Sequence, residues 1–183
     1  MTYYGAQELA DSFRTVRKNT IRIAEDIPED RYNFAVAADV RTVEKLLTHI
    51  ALTTRFQYQI HGVERRSTLE GFNFPALMQQ VMAEEAESRT KDEVIGLLRK
   101  EGETWANFVS GLPEGFLSQL VTMPTGATPP SRSRFDMILS VKEHEMHHRG
   151  QLMLIERMIG IVPHLTRDMQ ARMAQAQAQS SKA

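Results

Sequence analysis

Apolar residues recur every three or four positions along four long stretches of this 183-residue chain, and Pro or Gly interrupts the pattern between them. Four amphipathic helices, each with one apolar stripe, can bury those stripes only against one another, so the pattern predicts an all-α four-helix bundle. In the first stretch Leu9, Phe13, Val16, Ile23 and Ile27 share a stripe until Pro28 disfavours further helix, which predicts a helix from Ala6 to Asp26. The second starts on Thr42 as N-cap, carries Val43, Leu46, Leu47 and Ile50 inward, and reaches His61 and Gly62, where glycine can stop it. A short extra helix from Ala76 to Glu87 is expected to lie over one end of the bundle. Thr90 and Glu93 form a capping box that opens the third long helix, and Gly111-Leu-Pro113 closes it. A turn-rich excursion from Leu120 to Pro130 leads to the fourth, from Ser133 to Gly160. The bundle is expected to occupy residues 1–165, with the Gln- and Ala-rich segment 166–183 as a peripheral or partly disordered tail.

A chain of this length buries roughly two-thirds of its unfolded surface and needs no covalent staple. It has no cysteine, so any thiol chemistry requires an outside thiol. Its 22 basic and 23 acidic residues are interspersed, which argues against nucleic acid as a partner. No stretch approaches the roughly 18 apolar residues of a membrane span, and the first residues lack the basic start and apolar run of a signal peptide. No membrane partner and a cytoplasmic location are therefore expected. Phosphate-binding glycine loops and the Gly-x-Ser-x-Gly elbow are absent.

The unusual chemistry lies in the fourth helix. His144 and His148 are one i, i+4 pair, about 40° apart on the cylinder at 100° per residue. Met137, Val141, Leu152, Ile155 and Ile159 occupy the same sector, so both imidazoles should point into the bundle. His49 shares an inward stripe of the second helix with Leu46, Thr53, Phe56 and Ile60. Two neutral imidazoles four residues apart can close on a divalent ion, and a third from an adjacent helix completes a triad. Each histidine taken singly also reads as a hydrogen-bonded core residue, and spacing leaves both readings open.

The other three histidines carry no assigned chemistry. His147 falls at the edge of the stripe, His61 at a helix C-terminus where the dipole favours a cation, and His164 in a connection. Gly150, in mid-helix, predicts a close helix contact, since glycine there costs about 1 kcal/mol against alanine. Arg149 is expected on the outer side, paired with Glu145 or with a neighbouring helix, and Gln151 either to donate to a ligand or to border the core.

The string His144-x-x-x-His148-Arg149-Gly150-Gln151 in the last helix, with His49 in the second, resembles the signature of the DinB-like (YfiT-type) metalloprotein family over about Ala6 to Pro163. The resemblance implies one divalent metal ion held by His49, His144 and His148. It also implies kinship with enzymes that attach bacillithiol or mycothiol to electrophiles and with glutathione-dependent maleylpyruvate isomerases, and often a homodimer. The expected function is a metal-dependent S-transferase with a small-molecule thiol and an electrophilic substrate as its partners. A hydrolase using activated water, and a noncatalytic dimeric binding module with a structural metal, are the alternatives. An all-imidazole set suits nickel or zinc first, with iron, copper or manganese behind.

Overall fold

A computed structural model describes residues 4–180. Four long helical segments pack as a bundle: α1 (Ala6–Asp26), α2 (Val43–Leu52) continued by α3 (Thr54–Tyr58), α5 (Lys91–Ser110) and α7 (Arg134–Met158). The extra helix α4 (Phe74–Ala86) lies between α3 and α5 in the chain, a short α6 (Glu114–Leu117) follows α5, and α8 (His164–Ser180) ends the described residues.

The ends of these helices follow local chemistry. Thr42 accepts from the Lys45 amide, Asn73 from Ala76, Thr90 from Glu93 and Ser133 from Asp136, so each hydroxyl or amide oxygen satisfies an otherwise orphaned donor. Glu93 completes the capping box by accepting from the Thr90 amide. Helix α7 stops in a Schellman turn: Ile161 N–H donates to Glu156 O, Gly160 N–H to Arg157 O, and Gly160 takes φ +86°. Gly62, by contrast, stops nothing. The second helical segment breaks at Thr53 and runs on through a π-type turn, Gln59–Val63, with Glu64 as its cap, and the left-handed residue beyond is Arg65 at φ 49°.

The turn-rich excursion carries a small antiparallel ribbon, β1 (Leu120–Thr122) with β2 (Ser131–Ser133), in the register Leu120–Ser133 to Thr122–Ser131. The segment expected as a tail is helical to Ser180. The first turn of α8 docks through buried His164 and the Arg167–Asp26 ion pair, and residues 168–180 are exposed; residues 181–183 lie outside the described residues. Among the described residues no helix is long and apolar enough to cross a membrane.

The apolar core comes in two main parts. One gathers Ile23, Ile27, Leu47, Ile50, Leu98 and Leu152; the other gathers Phe13, Trp105, Val109, Ile138 and Val141. A polar layer crosses the bundle between them. Arg17 on α1, only 4 % exposed, binds Glu145 on α7 through Nε at 3.0 and 3.1 Å and Nη2 at 2.9 Å. The same guanidinium donates to Leu98 O on α5 and Ile50 O on α2. One side chain thereby joins all four long helical segments, and Gly102 makes room for it: a Cβ there would meet Arg17 Cγ at 2.9 Å.

Glu145 thus does not turn outward to pair with Arg149. Helix α7 packs against α1 as well as against α2 and α3, so it buries two sectors, and Glu145 lies in the second. Gly150 is exposed, and a Cβ built on it meets nothing within 4 Å, so no close helix contact accounts for it.

Candidate metal centre

At the level of that polar layer, α2 and α7 bring three histidines together. His49 Nε2 lies 3.4 Å from His144 Nε2, which lies 3.1 Å from His148 Nε2. One ring nitrogen of each falls within 4.8 Å of the others, a set that could hold a metal ion.

The acceptors facing two of the opposite ring nitrogens assign those protons. His49 Nδ1–H donates to Glu85 Oε2 at 3.0 Å, and His148 Nδ1–H to Gln151 Oε1 at 2.8 Å. The Thr53 hydroxyl donates to Ile50 O and lies 3.4 Å from His144 Nδ1. With Nδ1 as the donor in His49 and His148, the Nε2 atoms of those two rings turn lone pairs toward His144 Nε2. Convergence of three ring nitrogens is the arrangement in which a cation can replace a proton shared between rings.

The spacing suits one. Imidazole nitrogens about 2.0–2.1 Å from a common ion lie roughly 2.8–3.4 Å apart in octahedral or tetrahedral arrangements.

Electrostatics agree with neutral, ligand-competent rings. Burial, reinforced by His148 and His49, pushes His144 down to about 4. His49 is lowered by burial and then by Arg41, against the opposing pull of Glu85, and His148 is lowered chiefly by burial. Neutral imidazole is the form that binds metals.

Glu85 is the residue that sequence reasoning missed. It comes from α4, which the sequence shows only as a short helix over the bundle, with no periodic signal linking it to His49. Its position is set by contacts distant in sequence. Arg41 pairs with Glu85, Arg55 pairs with Glu84 and Glu101, and Lys45 Nζ donates to the carbonyls of Ala86 and Glu87 at the α4 C-terminus. Gln151 resolves as an acceptor for His148, while its Nε2 reaches exposed His147 at 3.3 Å.

His61 and His164 stand apart from the triad. Buried His61 accepts from Arg134 Nη1 at 2.8 Å, and burial together with that guanidinium pushes it down to about 4. It is neutral, not the dipole-stabilised cation expected at a helix end. His164 bonds Asn19 across the α1–α8 contact.

Two cavities flank the triad. One, of about 740 Å³, reaches His148 and Gln151; the other, of about 370 Å³, has His49 and His144 in its wall, and Arg41 and Glu85 border both. A further cleft of about 800 Å³ between α1, α5 and α8 does not touch the histidines.

Bundle and site together define a helical protein with a three-histidine centre shared between two of its long helices. The family model of the DinB superfamily matches residues 12–152, and the chain belongs to that superfamily. Among solved structures it is similar to the DinB-like protein YjoA of Bacillus subtilis (20% identity, TM-score 0.61, covering 84% of this chain and 92% of that one). It is also similar in fold to YfiT of Bacillus subtilis, described as a "probable metal-dependent hydrolase with an unusual four-helix bundle topology" (10% identity, TM-score 0.65, 88% and 91% covered). A third is the sibling lethal factor precursor DfsB (13% identity, TM-score 0.62, 88% and 100% covered). No curated protein matches the chain.

Proposed function

We propose that His49, His144 and His148 hold one divalent cation, nickel or zinc, and that the protein uses it to transfer a small-molecule thiol to an electrophile. The observation that carries the metal is the convergence of one ring nitrogen from each of three histidines, with Glu85 and Gln151 accepting from the Nδ1 atoms of His49 and His148. A divalent ion in such a site lowers the pKa of a thiol or water that it binds, making a nucleophile at neutral pH.

The chain's own residues do the rest. Glu85 and Gln151 hold the two rings in the right tautomer, and the Glu85 carboxylate offsets part of the charge that three neutral ligands leave on a cation. Arg41 restrains Glu85 from the other side. In the reaction the thiol's S–H proton goes to solvent, its sulfur forms the new S–C bond, and the bond from carbon to the leaving group breaks with its electron pair. No oxidant or reductant is needed.

Two features favour a thiol over water as the nucleophile. Glu85, the carboxylate at the triad, is committed to His49 and Arg41 and so is not free as the general base that water attack calls for. Cavities on both sides of the histidines leave room for two substrates. The second reading, metal-dependent hydrolysis, draws on the fold likeness to YfiT and on that protein's description.

Elemental analysis of protein purified without an affinity tag should find about one equivalent of metal, lost in His148→Ala. Turnover of 1-chloro-2,4-dinitrobenzene that requires an added thiol and disappears in His49→Ala supports transfer. Hydrolysis of p-nitrophenyl acetate without thiol would replace it with the second reading. Inertness toward both, with a melting temperature that falls sharply on chelation, would make the metal structural.

A further inference from the structure

The smaller cavity beside the triad is walled by one face of α4. Phe74, Met78, Val81, Met82 and Glu85 fall within a sector of about 100° on that helix at 100° per residue. Only Val81 of these is buried; Phe74 is 46 % and Met82 58 % exposed, although both belong to the apolar stripe. Across the cavity stand Phe56, whose ring meets Phe74 at 5.3 Å, and Val141 of α7. Exposed large apolar side chains grouped on one wall of a cleft mark a binding surface more often than chance.

Most of its polar lining is already engaged; the exception is Gln57, whose buried Oε1 has no partner among the described residues and is an uncharged acceptor. Arg41 and Glu85 neutralise each other, and the Thr53 and Ser140 hydroxyls donate to Ile50 O and Met137 O. Apart from the cation proposed on the triad, an ionic ligand would find no unpaired counter-charge there, whereas an apolar group would find two aromatic rings and two adaptable thioethers. At about 370 Å³ the space lies at the small end of the range of small-molecule sites, roughly 300–1,000 Å³.

We infer that this cavity takes the alkyl or aryl group of an uncharged electrophile, with Met78 and Met82 setting the size of substrate accepted. The inference rests on the transferase reading, which it deepens by naming the substrate class. His49 and His144 form part of the same wall, so a group seated between Phe56 and Met78 has its reactive carbon directed at the triad. The larger cavity on the His148 side is left for the thiol.

The test pairs a binding readout with a kinetic one. N-phenyl-1-naphthylamine, an uncharged fluorophore, is titrated into metal-loaded and metal-stripped protein, into Met78→Trp, which fills the cavity, and into Met82→Glu, which charges its exposed rim. One equivalent should bind the wild type with or without metal, at least 10-fold more weakly in each variant, with metal content unchanged. In thiol-dependent turnover, both variants should raise KM for benzyl chloride at least 10-fold while leaving KM for iodoacetamide within about 2-fold. The rim position is exposed, so Met82→Glu is informative even if Met78→Trp folds poorly.

Probe affinity and benzyl chloride KM unchanged in both variants would overturn the inference while leaving the transferase intact. So would a wild-type preference for iodoacetate over benzyl chloride. Probe binding lost in the variants, in a protein with no thiol-transfer activity, would support the apolar site and remove the transferase reading instead.

Discussion

Glu85 Oε2 lies 3.0 Å from His49 Nδ1, and this contact between α4 and α2 decides which face of the imidazole is free to bind a cation. Outer hydrogen bonds of this kind typically change metal affinity 10- to 100-fold. Glu85→Gln keeps an acceptor but removes the charge, and it is expected to weaken metal binding by about that factor. Competition against a chromophoric chelator at pH 7 measures it. Gln151→Leu, which removes the acceptor from His148 entirely, should show a loss of the same order, and wild-type affinity in both variants would remove the three-histidine assignment.

Arg17 and Glu145 are a buried pair at 2.9 Å, with side chains 5% and 2% exposed. Removing one partner strands the other charge away from water, which costs about 3–5 kcal/mol. Arg17→Met and Glu145→Leu should each lower unfolding free energy by that amount in urea titrations. The double variant should be less destabilised than the sum of the two, because neither charge is left alone.

Glu156 is fully buried, and among the described residues neither carboxylate oxygen has a hydrogen-bond partner. Burial, then the charge of Asp26, pushes it up to about 7 from an ordinary 4.5. Between those values the folded state binds the proton more tightly than the unfolded chain does. Its contribution to stability is present below pH 4.5 and lost as pH rises through 7. Glu156→Gln, which cannot ionise, should match wild type near pH 4.5 and exceed it by up to roughly 3 kcal/mol at pH 8. Urea denaturation at the two pH values checks this, and a pH-independent difference would contradict it.

Gly150 sits in the middle of α7 in open space. Gly150→Ala should therefore stabilise the protein by about 1 kcal/mol through helix propensity alone, with metal content unaltered. A destabilised variant, or one that loses metal, would show that the glycine serves the site in a way its backbone surroundings do not reveal.

The long helices were legible because their signals are local. The period of Leu9, Phe13, Val16 and Ile23, the capping chemistry of Thr42, Thr90 and Ser133, and the left-handed stop at Gly160 depend on residues within one or two turns. The second helix was legible only in part: its stripe and N-cap are local, but the break at Thr53 and the turn that carries it past Gly62 arise where it packs against α5 and α7.

The triad shows the same division. An i, i+4 pair in an apolar stripe places His144 and His148 on one face, and His49 on the inward face of another helix, so the three candidates could be named from sequence with spacing and a family signature. Their common level in the bundle, and the tautomer each adopts, depend on which helices become neighbours. Glu85 joins His49 across 36 positions, and Arg17 joins Glu145 across 128. Periodicity assigns a residue to a face, but it carries no information about the partner that face will meet. That is why Glu145 and His61 took tertiary roles that their own helices do not announce. Sequence by itself determined the helices, their inward stripes and the histidines on them; tertiary packing decided the polar layer, the carboxylate behind His49 and the cavities beside the triad.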